Sequence, residues 1–100
     1  MAITDKTIRG NKMIVNNLVN NNGNIVANQF SINDKGVQYF QSYKTIIVKI
    51  DKAGNISLDR NYWDYSVTTS KHRNIFLNTN TKETKAKIKS GEYKLTDLNK

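Results

Sequence analysis

Apolar side chains recur at two different periods along this chain. Near the start, Ile14 and Leu18 lie four apart, as do Val15 and Val19, with Met13 beside them. That spacing sets side chains on one face of a helix, and it predicts a short helix from about Asn11 to Asn20. Asn16, Asn17, Asn20, Asn21 and Asn22 are weak helix formers, and Gly23 offers a C-terminal stop.

From Ile25 the period drops to two. Val26, Phe30 and Ile32 point one way, with Asn28 as an exception. Asn33-Asp34-Lys35-Gly36 reads as a type I turn closed by a left-handed Gly. In Val37 to Tyr43, Val37, Tyr39 and Tyr43 share one face, while Gln38, Phe40 and Ser42 form the other, exposed one. Thr45 to Ile50 is the clearest strand: Ile46, Val48 and Ile50 share a face and Ile47 and Lys49 the opposite one. β-Branched residues suit a pleated surface. Asp51 to Asn55 is a turn around Gly54, and Ile56 and Leu58 restart the alternation. Short turns between alternating segments predict an antiparallel β-meander of about four strands.

The pattern changes again after Tyr62-Trp63-Asp64-Tyr65. Ser66, Thr68, Thr69 and Ser70 offer N-cap hydroxyls, and His72, Ile75 and Phe76 follow at helical spacing. A helix is expected from about Thr68 to Leu77. Asn80 with Glu83 three residues on resembles a capping box, opening a second short helix from Thr81 to Ser90 that stops at Gly91. Its apolar residues are Ala86 and Ile88, so it packs lightly. The tail docks through Tyr93, Leu95 and Leu98. The expected fold class is α+β, a single domain over residues 1–100, with an N-terminal helix and both C-terminal helices covering one sheet face.

Composition narrows the chemistry. With 100 residues, one small core is expected. Leu, Ile, Val and Phe make up a quarter of the chain, above the level at which disorder becomes the default. There is no Cys and one His, which excludes disulfides, Cys-based metal sites, a cysteine nucleophile and multi-His metal centres within one chain. No metal and no cofactor are expected. No apolar run approaches a membrane span and no secretory signal is visible, so a cytoplasmic location and no membrane partner are expected. Asn occurs 15 times and Pro is absent. An AT-rich coding genome accounts for joint Asn and Lys enrichment more simply than a functional Asn tract does. The net charge is +8, and residues 71–100 carry eight basic side chains against three acids. Such asymmetry points to a polyanion-facing surface.

Several stretches carry a resemblance: Tyr39-Phe40-Gln41-Ser42-Tyr43, Thr45 to Ile50, Trp63-Asp64-Tyr65-Ser66-Val67-Thr68-Thr69-Ser70-Lys71 running into Asn74-Ile75-Phe76-Leu77, and Lys87 to Tyr93. Over residues 25–95 the chain resembles a family of small uncharacterised proteins of tailed bacteriophages and prophages, marked by Trp-x-Tyr-Ser-x-Thr-Thr-Ser-Lys. The resemblance implies a phage accessory protein in the cytoplasm of a bacterial host. Small phage accessory proteins commonly bind a host or defence component, inhibitors of CRISPR nucleases among them.

Three groups of residues are candidates for function. Tyr62, Trp63 and Tyr65 could anchor a partner or stack on bases, with Arg60, Lys71 and Arg73 meeting carboxylates or phosphates. Alternatively Trp63 and Tyr65 close the core where sheet hands over to helix. Lys82, Lys85 and Lys89 on the second helix could each neutralise a phosphate of DNA or RNA, or simply keep the surface solvated. Lysine makes no bidentate base contact, so such binding would have little sequence preference. His72 with Asp64 and the hydroxyls of Ser66, Thr69 and Ser70 permits a Ser-His-Asp arrangement on paper, but no nucleophile elbow is present, and an enzyme is not expected. The glycines fall at turns and form no phosphate loop. Open sheet edges admit a second copy, so a homodimer is a further expectation. The leading expectation is a non-catalytic inhibitor of a host or defence protein through Arg60, Tyr62, Lys71 and Arg73. The alternative is a basic, nonspecific nucleic-acid-binding protein.

Overall fold

A computed structural model describes residues 13–100. One sheet of six strands runs through it in sequence order: β1 (Met13–Val19), β2 (Ile25–Asp34), β3 (Val37–Ser42), β4 (Thr45–Ile50), β5 (Ile56–Asp59) and β6 (Tyr93–Thr96). Two helices, α1 (Val67–Leu77) and α2 (Thr81–Ser90), lie between β5 and β6. The first five strands pair antiparallel. β6 pairs parallel to β5, with Ile56 opposite Tyr93 and Leu58 opposite Leu95. The sheet is therefore mixed, and the expectation of four antiparallel strands fails at both edges.

The N-terminal helix is the first correction. Residues 13–19 form a strand in register with β2, Val15 opposite Ile32; Asn11 and Lys12 lie outside the described residues. A spacing of four is a multiple of two, so it fits a strand as well as a helix. Three of the four apolar residues in the two spaced pairs are β-branched, and the asparagines disfavour helix. The second correction is the tail. Tyr93 and Leu95 do turn toward the core, but as part of a strand. The connection from β5 crosses back over the sheet through both helices, so β6 returns parallel to its neighbour.

The two helices sit on one face of the sheet. The core beneath them comprises Leu18, Phe40, Ile47, Val48, Leu58 and Tyr93, with Trp63, Phe76, Leu77 and Ile88 packed against it. The Phe40 and Phe76 rings stack at 5.7 Å. Phe40 and Ser42 are thus fully buried, contrary to the exposed face expected for them, and only Gln38 of that trio is exposed. Ser42 Oγ shares a buried hydrogen bond of 3.0 Å with Thr69 Oγ1 on α1.

Strand β4 departs from strict alternation. Phe40 pairs with Val48 and Gln41 with Ile46, leaving Ile47 as an extra residue. A bulge of this kind puts two consecutive side chains on one side of the sheet. Ile47 and Val48 are accordingly both fully buried, whereas Ile46 is half-buried. The β2–β3 hairpin closes on Lys35 and Gly36, both with positive φ (56° and 90°). That is the two-residue type I′ pattern, whose twist matches the flanking strands, in place of the expected type I turn. Tyr43, also at positive φ (55°), lies in the β3–β4 turn and is exposed.

Both helices are capped locally. Ser66 Oγ accepts from Thr69 N–H, and Asn80 Oδ1 accepts from Glu83 N–H at 2.8 Å. Asn78 and Gly91 close the C-terminal ends in the left-handed conformation.

Candidate interaction site: the aromatic loop

The chain between β5 and α1, residues 60–66, leaves the sheet beside the C-terminal tail. Its conformation rests on two buried charged side chains. Asp59, at the end of β5, is 1% exposed. One carboxylate oxygen accepts from the N–H groups of Asn61 and Tyr62 at 3.1 and 3.0 Å. The other accepts from Leu98 N–H and Asn99 Nδ2 at 2.8 and 3.0 Å. Four donors offset the desolvation of a buried carboxylate. Asn99 continues the lock: its side-chain amide accepts from the N–H and donates to the C=O of Ile46, near the start of β4.

Arg73, on α1, is fully buried. Nη1 donates to the Trp63 carbonyl and to Asp64 Oδ1 at 3.3 Å. Nη2 donates to Asn74 Oδ1 and Thr81 Oγ1, both at 2.9 Å. The guanidinium carbon stands 5.2 Å from the centre of the Trp63 ring, a cation–π geometry. Burial pushes the guanidinium below its ordinary value, and the hydrogen bond and charge of Asp64 oppose that shift. Asp64 Oδ1 also accepts from Ser70 Oγ at 2.6 Å. Arg73 thereby ties the loop, α1 and the start of α2 together. It is an internal support, and its guanidinium offers no surface to a partner.

Besides the polar Arg60, Asn61 and Asp64, the loop exposes two aromatic rings. Tyr62 and Tyr65 are 40% and 49% exposed, and Val67, the first residue of α1, is 87% exposed. The two tyrosine rings meet edge to face at 5.2 Å, a favoured aromatic geometry. Trp63, between them in sequence, turns inward and packs half-buried against the core. The aromatic cluster thus divides: Trp63 serves the core, while Tyr62 and Tyr65 face solvent. Arg60 is exposed beside them, with Nη2 on the Leu95 carbonyl at 3.3 Å and Nη1 at 3.9 Å from Asp97.

The remaining predicted residues lie elsewhere. Lys71 is exposed and lines an open cleft of about 440 Å³ with Asn21, Asn74, Ile75, Asn78 and Thr79. Lys82, Lys85 and Lys89 are exposed on α2, at a spacing that places them along one helix face. Lys87 differs from them: the charge of the ionisable Tyr93 hydroxyl, then that of Glu92 at 3.7 Å, raise it above the ordinary lysine value. The Ser-His-Asp arrangement is not assembled. Asp64 bonds Ser70 directly, while His72 Nδ1 faces the Thr68 carbonyl at 2.8 Å. Among the described residues no three His, Cys, Asp or Glu side chains cluster as metal ligands, and no helix is long and apolar enough to cross a membrane.

Asp59 and Val67 were not singled out in the sequence. Asp59 carries a local signal, since an Asp that ends a strand often accepts from N–H groups two and three residues on. Val67 carries none, because an isolated valine at a helix start reads as core.

The fold and site together describe a small mixed-sheet domain that covers one sheet face with helices and presents an aromatic loop held by hydrogen bonds to Asp59 and from Arg73. Residues 13–92 match the sequence model of a family of unknown function, DUF8033, and the chain belongs to that family. No curated protein and no solved structure matches it.

Proposed function

We propose that this protein acts by binding another protein without performing chemistry, as a phage accessory protein that inhibits a host or defence component in the bacterial cytoplasm. One observation carries this reading: the exposed Tyr62–Tyr65 pair stands on a loop held by Asp59 and Arg73, with the exposed Val67 next to it at the start of α1. Large apolar side chains gathered at the surface favour a partner, and tyrosine is enriched among residues that dominate interface energies. A loop already fixed loses little entropy on binding. Arg60 at the rim adds a donor for a carboxylate. The resemblance to phage proteins supplies the biological setting.

A second reading is supported by the three lysines of α2. Lys82, Lys85 and Lys89 are exposed along one helix face, and among the described residues none is ion-paired. Three phosphate contacts would make log K fall with log salt at a slope of about −2.7 on duplex DNA.

One experiment tests both. The full chain captures its partner from lysate of a bacterial host, the partner is purified, and direct binding is measured by calorimetry. Tyr62→Ala with Tyr65→Ala is expected to weaken binding by on the order of a hundredfold, while Lys82→Glu, Lys85→Glu and Lys89→Glu together change it little. The reverse pattern, with short DNA or RNA bound at low salt and released by moderate salt, replaces the first reading with the second.

A further inference from the structure

The second exposed apolar region lies at the opposite side of the sheet, in β1. This strand is one edge, and among the described residues it pairs with β2 alone. Edge strands are usually blunted by charges, proline or shortness, because their free N–H and C=O groups invite another strand. The other edge, β6, follows that rule: it has four residues, and Lys94 within it is exposed. β1 does not. It is seven residues long, Met-Ile-Val-Asn-Asn-Leu-Val, with no charge and no proline. Its irregular pairing near Leu18 places the extra residues in β2, between Ile25 and Phe30.

The charge pattern narrows the occupant. No charged residue occurs between Met13 and Asn33, in a chain of which 24% is charged and the net charge is +8. A strongly cationic partner copy is repelled across most surfaces, but along this hairpin two copies meet without facing lysines. The hairpin also exposes Met13 (58%), Val15 (45%), Val19 (51%) and Ile25 (76%), half of the large apolar side chains exposed among the described residues.

The order of residues in β1 is self-complementary. An antiparallel pairing about a two-fold axis at Asn16 sets Met13 opposite Val19 of the second copy and Ile14 opposite Leu18. Val15 then meets Asn17, and the two Asn16 amides meet on the axis, where each can donate to and accept from the other. Directly opposed side chains in such a pair have Cβ atoms about 4.5–5.5 Å apart. The arrangement is isologous and closes on itself. It keeps the helices of both copies on one side of a continuous sheet. We infer that β1 is a self-association strand, through which two copies of this chain form a symmetric dimer with Asn16 on the axis.

Sedimentation equilibrium of the full chain, from dilute to high micromolar concentration, tests this. The expected result is a concentration-dependent rise from 11.4 kDa to twice that mass. Met13→Lys with Val19→Lys sets like charges opposite each other at both ends, and the dimer dissociation constant is expected to rise by on the order of tenfold or more. Both side chains are more than half exposed, so circular dichroism and the melting curve of the dilute protein stay unchanged. Met13→Lys with Val19→Glu is expected to recover the dimer, because the new cation of one copy then faces the new carboxylate of the other. A wild-type chain that stays monomeric overturns the proposal. So does a dimer indifferent to the double lysine variant, and a Met13→Lys, Val19→Glu protein that folds normally but stays monomeric overturns the Asn16 register.

Discussion

The guanidinium of Arg73 lies 5.2 Å from the Trp63 ring centre and also donates to the Trp63 carbonyl, so one buried cation holds both the ring and the backbone of that residue. Tyr62 and Tyr65 flank this clamped position on either side. The display of the aromatic pair is therefore a consequence of what lies beneath it.

Replacing Arg73 with lysine tests the clamp. Lysine keeps the charge but loses the planar fork that reaches Trp63, Asn74 and Thr81 at once. The acceptors left inside lose their partners, and an expected loss of about 2–3 kcal/mol follows. Urea denaturation monitored by Trp63 fluorescence reads it as a lower midpoint with an unchanged slope.

The C-terminal tail is coupled to the same loop through Asp59. Removing residues 97–100 takes Leu98 N–H and Asn99 Nδ2 from one carboxylate oxygen, while Asn61 and Tyr62 N–H remain on the other. Losing those contacts frees the carboxylate to move, and protection of the Asn61 and Tyr62 amides from hydrogen exchange is expected to fall by about tenfold. Equal protection in the full and shortened chains would show that the loop holds without the tail.

Acid acts on the β4–β5 turn. Hydrogen bonds from the backbone and side chain of Asn55, then from the backbone of Ala53 and Gly54, hold the Asp51 carboxyl below its ordinary value of 3.8. A carboxyl depressed by folding stabilises the turn fully above its unfolded value and loses that contribution as pH falls through its lower folded value. An NMR titration should therefore show the Asp51 carboxyl protonating below 3.8, with the Ala53 and Asn55 amide shifts following it. In an Asp51→Asn variant those amide shifts should stay flat over the same range.

The bulge in β4 predicts an asymmetry between two neighbouring isoleucines. Ile47 is fully buried and Ile46 is half-buried. Ile47→Ala leaves a cavity and is expected to cost about 2–5 kcal/mol. Ile46→Ala should cost clearly less, because its surroundings already admit water. Strict alternation, with Ile46 facing inward beside Val48, would reverse the order.

Features closed by neighbours a few residues apart are legible in the chain. Ser66 before Thr69, Asn80 before Glu83, and Gly91 after Ser90 mark helix ends, because the hydrogen bonds that form those caps span three or four residues. The turns at Gly36 and Gly54 are legible for the same reason, although the type of the first is set by the twist of the strands it joins. The inward turn of Trp63 is within reach as one of two readings of its motif, but that reading puts Tyr65 in the core with it, whereas Tyr65 is exposed.

The features that escaped the sequence depend on partners far along the chain. The pattern of Met13–Val19 serves helix and strand alike, and only β2 beside it selects the strand. β6 is parallel because β5 lies at the edge it returns to, more than thirty residues after leaving it. Arg73 reads as a surface cation until Trp63, Asp64, Asn74 and Thr81 surround it, and Asp59 reads as an ordinary turn residue until Leu98 and Asn99 arrive from the tail. Local hydrogen bonds and side-chain period decide where elements begin and end. Burial decides which charged groups become supports and which aromatic rings remain for a partner, and burial exists only once distant segments have packed.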